Sequence, residues 1–256
     1  MADLLCAVDV GTTAVKASVF DPGGALVASA YREHALRFPG PDRVEQAPAV
    51  LEAAFDAALS EVARGIAERI AAVAVTSARA TFVPVDADGR PLGPFIIWQD
   101  RRSIAECAAL REHIPEDEYF AITGLRLEPV ACGSKIAWLR AHEPAIHAAA
   151  DRFETQQTWF LRRLGADRPP TDFTMAGYSG LLDVTTLDWS PRVLDAFAID
   201  RRRLPGLAQA GTVVGAVSAA AAARTGLRPG TPLVLPASDA GCCWVGAGLR
   251  RGGQVA

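Results

Sequence analysis

Leu4-Leu5-Cys6-Ala7-Val8-Asp9-Val10-Gly11-Thr12-Thr13-Ala14-Val15-Lys16-Ala17-Ser18-Val19-Phe20 opens the chain with two apolar strand-like runs, 4–10 and 15–20, broken by Gly11-Thr12-Thr13. A third run, 25–31, follows Asp21-Pro22-Gly23-Gly24, a segment with turn chemistry. The spacing predicts an antiparallel meander. Over 48–64, Leu51, Phe55, Ala58, Leu59 and Val62 recur with a helical period between Pro48 and Gly65, and 70–76 reads as a buried strand after that helix. Strands alternating with helices behind an opening meander indicate an α/β domain built on a mixed sheet.

Farther along, 81–86 and 95–98 flank the turn Asp88-Gly89-Arg90-Pro91 and read as a hairpin that delivers Trp98-Gln99-Asp100-Arg101-Arg102 at a strand end. From Ser103 to about Gly165 the pattern is mainly helical, with segments at 103–112, 116–122, 133–142 and 156–164, an expected helical insertion on the sheet. A short strand at 181–184, helices at 191–197 and 218–224, and a strand at 232–236 lead into a small-residue helix over 240–248.

Half of the 256 residues are hydrophobic, enough for a large core, and 26 basic against 29 acidic residues leave a formal charge of −3. Such a balance supplies no strong field toward nucleic acid or an anionic membrane. The longest apolar tracts, 70–75 and 219–223, fall short of the roughly 20 residues a membrane helix needs. With no leader-like pattern at the amino terminus, the expected setting is cytoplasmic. Cys6, Cys107, Cys132, Cys242 and Cys243 have neither paired CxxC spacing nor adjacent histidines, so reduced and mostly buried thiols are expected.

Three places carry chemistry. Asp9-Val10-Gly11-Thr12-Thr13, with Lys16 beyond it, offers a carboxylate for a hydrated cation, a glycine that lets the backbone approach phosphate, and two hydroxyls. Taken alone it is equally an ordinary hairpin turn. Asp239, after the apolar 233–235 run, could accept a hydroxyl proton during phosphoryl transfer, although an Asp at a helix start is more often a cap. Trp98, Asp100 and Arg101, joined by Arg79, offer a flat apolar face, an acceptor and fork-shaped donors to a polyhydroxylated ligand. The alternative there is a half-buried Trp beside a surface Asp100–Arg101 pair. No Walker loop or GxGxxG is present, Asp86-Ala87-Asp88-Gly89 lacks the later ligands of an EF-hand, and the four histidines have no metal spacing. Arg201-Arg202-Arg203 reads as a solvated helix end.

In order, DVGTT with Lys16, TSARAT, IIWQDRR, Thr123-Gly124 with Lys135-Ile136-Ala137-Trp138-Leu139, TDFTMAGYSGLLDVTTLDWS and PASDAGCCWVGAG resemble the FGGY carbohydrate kinases. The resemblance implies an actin-like, ribonuclease-H-type α/β first domain over 1–256, with the helical insertion at about 103–165 and the C-terminal ATP-binding domain absent. It implies Asp239 as catalytic base, Asp9 on the Mg2+ side, Gly11, Thr12, Thr13 and Lys16 near the phosphates of ATP, and Arg79, Trp98, Asp100 and Arg101 with Asp239 around the sugar. The implied partners are a sugar or polyol and ATP, not nucleic acid or membrane; a second-domain chain or another copy stays open.

Departures bear on the substrate. Glycerol kinases typically have Gln-Arg-Glu where this chain has Ala78-Arg79-Ala80, and a Gln where it has Ala240, which argues against glycerol. Xylulokinases usually place Met-His at 78–79. The 171–190 stretch and the Ser77-Ala78-Arg79 pattern are closer to the autoinducer kinases, which carry Glu at 80. The expected activity is phosphorylation of a hydroxyl of a sugar, sugar alcohol or related polyol. The alternatives are a non-catalytic sugar-binding domain or one half of a two-chain kinase, because the family's next segment, a Gly-Thr-rich phosphate loop, would follow Gly252-Gly253-Gln254-Val255-Ala256.

Overall fold

A computed structural model describes residues 3–249 and 251, so the closing 252–256 stretch lies outside the described residues. The opening meander is present: β1 (Leu4–Val10), β2 (Ala14–Phe20) and β3 (Leu26–Glu33) pair antiparallel, with Asp9 opposite Lys16. β1 buries Leu4, Cys6, Val8 and Val10 on one face and turns Leu5, Ala7 and Asp9 to the other, as the two-residue strand period requires. After β4 (Arg37–Gly40) and β5 (Arg43–Gln46), α1 (Pro48–Ala63) starts on Pro48, where a missing N–H costs nothing, and buries Leu51, Phe55, Ala58, Leu59 and Val62. β6 (Ile70–Ser77) then lies parallel to β1.

The expected hairpin is β7 (Phe82–Val85) with β8 (Phe95–Ile96). The segment 103–165 contains α2 (Ile104–Leu110), α3 (Glu116–Thr123), α4 (Cys132–His142), α5 (Pro144–Ala149), β9 (Arg152–Thr155) and α6 (Gln156–Leu164). Beyond it come β10 (Thr171–Asp172), α7 (Phe173–Gly177), β11 (Leu182–Asp183), β12 (Asp188–Trp189), α8 (Pro191–Phe197), β13 (Leu207–Ala208), β14 (Val213–Ala216), α9 (Ala219–Thr225), β15 (Pro232–Val234) and α10 (Asp239–Gly246).

Among the described residues the strands form a six-stranded mixed sheet, β14-β15-β6-β1-β2-β3, and a five-stranded sheet, β4-β5-β8-β7-β9, beside two short pairs. A first core lies between the large sheet and α1, α6 and α9, where the Phe55 and Phe160 rings sit 4.3 Å apart. A second gathers Tyr119, Trp138, Trp189 and Phe197 under α2, α3, α4 and α8. β7 is buried on both faces because it stands between them: Val83 and Val85 enter the first core, Phe82 the second. α6 leaves its helical neighbours and packs Trp159, Phe160, Leu161 and Leu164 into the first core. No helix among the described residues is long and apolar enough to cross a membrane. All five cysteines are free; Cys6, Cys107 and Cys132 are buried, Cys242 is half-buried and Cys243 is exposed.

Gly165 ends α6 at φ +131°, and a Cβ there would lie 2.5 Å from Ala216 O and 2.7 Å from Ser218 N. Both are backbone atoms that cannot rotate away. Gly165→Ala should therefore lower the unfolding free energy by about 1–3 kcal/mol, read as a fall in Tm by calorimetry.

Candidate active site

Three neighbouring strands, β1, β6 and β15, deliver loops to one edge of the large sheet. The β1–β2 turn closes through Gly11 N–H to Ala14 O at 2.9 Å, so that donor is spent inside the turn. From β5, buried Gln46 donates its amide to Gly11 O at 3.1 Å and Thr12 O at 2.8 Å, and accepts from Gln156 at the start of α6. Trp98 Nε1 donates to Thr12 Oγ1 at 2.9 Å, so the aromatic face beyond β8 and the Thr turn are one assembly.

Asp239 is held from several directions. Ser238, not Asp239, caps α10, accepting from Gly241 N. Asp239 is thus the first helical residue and not the cap, while its Oδ1 accepts from Ala240 N at 2.7 Å. Thr76 at the end of β6 donates to Ala237 O at 2.8 Å, while Thr174 Oγ1 accepts from Ser238 N at 2.8 Å and is itself tied to Asp172. Gly241 makes this closeness possible, since a Cβ there would lie 2.9 Å from that of Ala237. Arg79 Nε stands 3.8 Å from Asp239 Oδ1, with its guanidinium 4.0 Å over the Tyr178 ring.

These groups border a cavity of about 680 Å³ that brings together Thr12, Arg79, Trp98, Arg101 and Asp239 of the expected residues. Gln99, Glu128 and Tyr178 join them. Tyr178 belongs to the GYSG stretch, and Gln99 adjoins Trp98, so both were within reach of the motifs; Glu128 sits in a loop with no sequence mark.

Asp100 is a correction. It was expected around the sugar or in a surface pair with Arg101, but it is fully buried and occupied by structure. Its Oδ2 accepts from Val44 N at 2.7 Å and Arg102 Nη2 at 2.8 Å, and its Oδ1 from Arg102 N and Nε. Arg102 extends the bracket to Glu45 at 2.7 Å. A buried carboxylate needs this many donors, which leaves it none for a ligand. Asp9 and Lys16 also lie outside the main cavity, in a hollow of about 290 Å³ on the other face of β1 and β2, beside Ala7, Ala74 and Cys242. Thr13 is exposed at the turn.

Partial burial pushes the Asp9 carboxyl pKa up, the Asp239 charge adds to the effect, and Lys16 opposes it. Two carboxylates that repel each other suit a shared cation. Among the described residues no cluster of three or more metal-ligating side chains exists, so any divalent cation here would have to rest on one or two carboxylates.

The model of the FGGY family of carbohydrate kinases, N-terminal domain, matches residues 4–246. The chain belongs to this family. The glycerol kinase of Gloeobacter violaceus is 36% identical over 205 residues, 79% of this chain and 41% of the relative. That of Methylibium petroleiphilum is 37% identical over 220 residues, 82% and 44%. Among solved structures, the xylulose kinase of Rhodospirillum rubrum superposes with a TM-score of 0.92 at 28% identity, covering 98% of this chain and 52% of that one. The ligand-bound xylulose kinase of Lactobacillus acidophilus gives 0.89 at 25%, covering 96% and 50%. The fold is thus the expected actin-like α/β type. This FGGY chain spans less than half the length of the two glycerol kinases. Its cleft wall carries Ala78 near Arg79, with Ala80 buried behind and Ala240 after Asp239, so no amide or carboxylate stands at those three points.

Because the folded state raises the Asp9 pKa, it holds the proton more tightly than the unfolded chain. Stability therefore falls as pH rises from the ordinary aspartate range through the raised value. Asp9→Asn should raise Tm at pH 7 relative to the unsubstituted chain, and the difference should vanish in acid below the ordinary aspartate range, as read by scanning calorimetry across pH.

Proposed function

We propose that this chain supplies the acceptor cleft and general base for ATP- and Mg2+-dependent phosphorylation of a hydroxyl on a sugar, sugar alcohol or related polyol. The observation that carries the reading is the Asp239 carboxylate, released from helix capping by Ser238 and turned into the same cavity as Trp98, Arg79 and Arg101. The indole can lie against the C–H face of a polyol while the two guanidinium groups and Gln99 donate to its hydroxyls, with Glu128 accepting. As the acceptor oxygen bonds to the γ-phosphorus, the bond from phosphorus to the β–γ bridging oxygen breaks, ADP leaves, and the hydroxyl proton passes to Asp239. Arg79 at 3.8 Å orients that carboxylate before transfer. Asp9 would hold a Mg2+ ion, which would supply charge neutralisation at the phosphates, and Thr12, Thr13 and Lys16 would stand on the phosphate side. The relatives' names, glycerol kinase and xylulose kinase, support a polyol or sugar acceptor. Five free cysteines fit a cytoplasmic setting.

A second reading is favoured by the share of the relatives covered, 41% and 44%. The face of the large sheet bearing Leu5, Ala7 and Asp9 is exposed. In this reading the nucleotide-binding half comes from further polypeptide, and the chain by itself binds acceptor without turnover. Saturable sugar phosphorylation by residues 1–256 alone would reject it.

In the protein with both halves, Asp239→Asn should lower kcat by about 10²–10⁴-fold while acceptor affinity stays nearly constant. Steady-state assays and calorimetric titration separate the two quantities, and unchanged turnover would remove Asp239 from the role of base.

A further inference from the structure

Lys135, the fourth residue of α4, is completely buried. Its ammonium has three N–H donors, and each meets a backbone carbonyl: Ile97 O at 2.7 Å, Val130 O at 2.9 Å and Ala80 O at 3.4 Å. These carbonyls come from three separate loops. Ala80 follows Arg79, Ile97 precedes Trp98, and Val130 is itself part of the cleft wall. Ala80 sits at φ +52°, a left-handed conformation that a residue with a Cβ keeps only when its surroundings hold it there.

The helix beneath is a firm base. Gly133 donates to Ser179 O at 3.0 Å, and the Ser103 and Ser134 hydroxyls share a hydrogen bond at 2.9 Å. A Cβ on Gly133 would stand 2.7 Å from Leu181 and Phe197, so the helix is pressed against its neighbours. Burial draws the Lys135 pKa down to about 8; Cys132, Asp100 and Cys107 pull it back up, while Arg102 acts with burial. A methionine of similar length would fill this space without the desolvation cost, so stability alone does not call for a lysine. Three donors radiating from one point are what a leucine or methionine cannot provide.

We propose that Lys135 is a positioning residue for acceptor recognition, pinning the loops that carry Arg79, Trp98 and Val130 into one arrangement. The inference rests on the cavity being the acceptor site. Through Arg79 the same pin reaches the Asp239 carboxylate.

The test compares Lys135→Met, which keeps the volume and removes the donors, with Leu139→Ala, which opens space in the same helix without touching the three carbonyls. Binding of glycerol, D-xylulose and D-gluconate is measured calorimetrically well below the unfolding temperature, and hydrogen exchange is followed without ligand. Lys135→Met should weaken whichever acceptor binds by about ten-fold or more. It should also speed exchange together at 79–82, 97–101 and 128–131. Leu139→Ala should lower Tm and leave affinity unchanged. Equal affinity losses in the two variants, or exchange at the three loops unaltered in Lys135→Met, would overturn the proposal. An unsubstituted chain that binds none of the three compounds would overturn the acceptor reading and this proposal with it, a result distinct from binding that survives the substitution. Should Lys135→Met not fold, exchange of the unsubstituted chain at low denaturant decides: one shared opening free energy for the three loops supports the pin, and independent opening rejects it.

Discussion

The cleft depends on parallel pairing at the centre of the large sheet. β1 runs alongside β6, and β6 alongside β15, in one direction. Parallel neighbours present their C-terminal ends at the same edge, so the chain must leave the sheet there three times. Those exits are the Gly11-Thr12-Thr13 turn, the Ala78-Arg79 loop and the Ser238-Asp239 helix start. Residues more than two hundred positions apart thereby become neighbours, and the hydrogen bonds across the exits, from the Thr76 hydroxyl to Ala237 O and from Ala78 N–H to Val10 O, fix how far apart they stand. An antiparallel arrangement of the same strands would send the three exits to opposite ends.

Buried charge takes a second share of the organisation. The Trp98–Arg102 stretch reads as a row of ligand contacts, yet its members divide sharply by location. Trp98, Gln99 and Arg101 reach the cavity, whereas Asp100 and Arg102 turn inward and are satisfied by Glu45 and Val44. The inward pair anchors the outward trio. Such a bracket tolerates little change, because removing one partner strands the others away from water.

Much of this was legible because the periods were clean. β1, β2 and β3, α1 and β6 stand within a few residues of their expected positions, since alternating or helical apolar spacing was supported by Gly and Pro punctuation. β4, β14 and the two-residue strands β10, β12 and β13 were not legible: β4, Arg37-Phe38-Pro39-Gly40, has no alternation and is largely exposed, so only its partner β5 defines it. β9 was hidden inside a helical stretch because Arg152 and Glu154 are buried as a pair that looks solvated in sequence. At the site, residue types and order pointed to Asp239, Arg79 and Trp98. Their supports, Gln46, Thr174 and Glu45, were silent, because a side chain that bonds to a distant backbone leaves no local spacing. Asp100 misled for the same reason: the one partner of its carboxylate apart from Arg102, Val44, is 56 residues away.

The bond from the Trp98 indole to the Thr12 hydroxyl has an optical consequence. Trp138, Trp159 and Trp189 are buried in the cores and Trp244 is exposed on α10, while Trp98 is 43% exposed at the cavity with its N–H directed to the Thr turn. Its emission answers both to a molecule lying on the ring face and to any shift of the turn that pulls on the ring nitrogen. One side chain thus faces the cavity with its ring and the Thr turn with its nitrogen, through two different atoms.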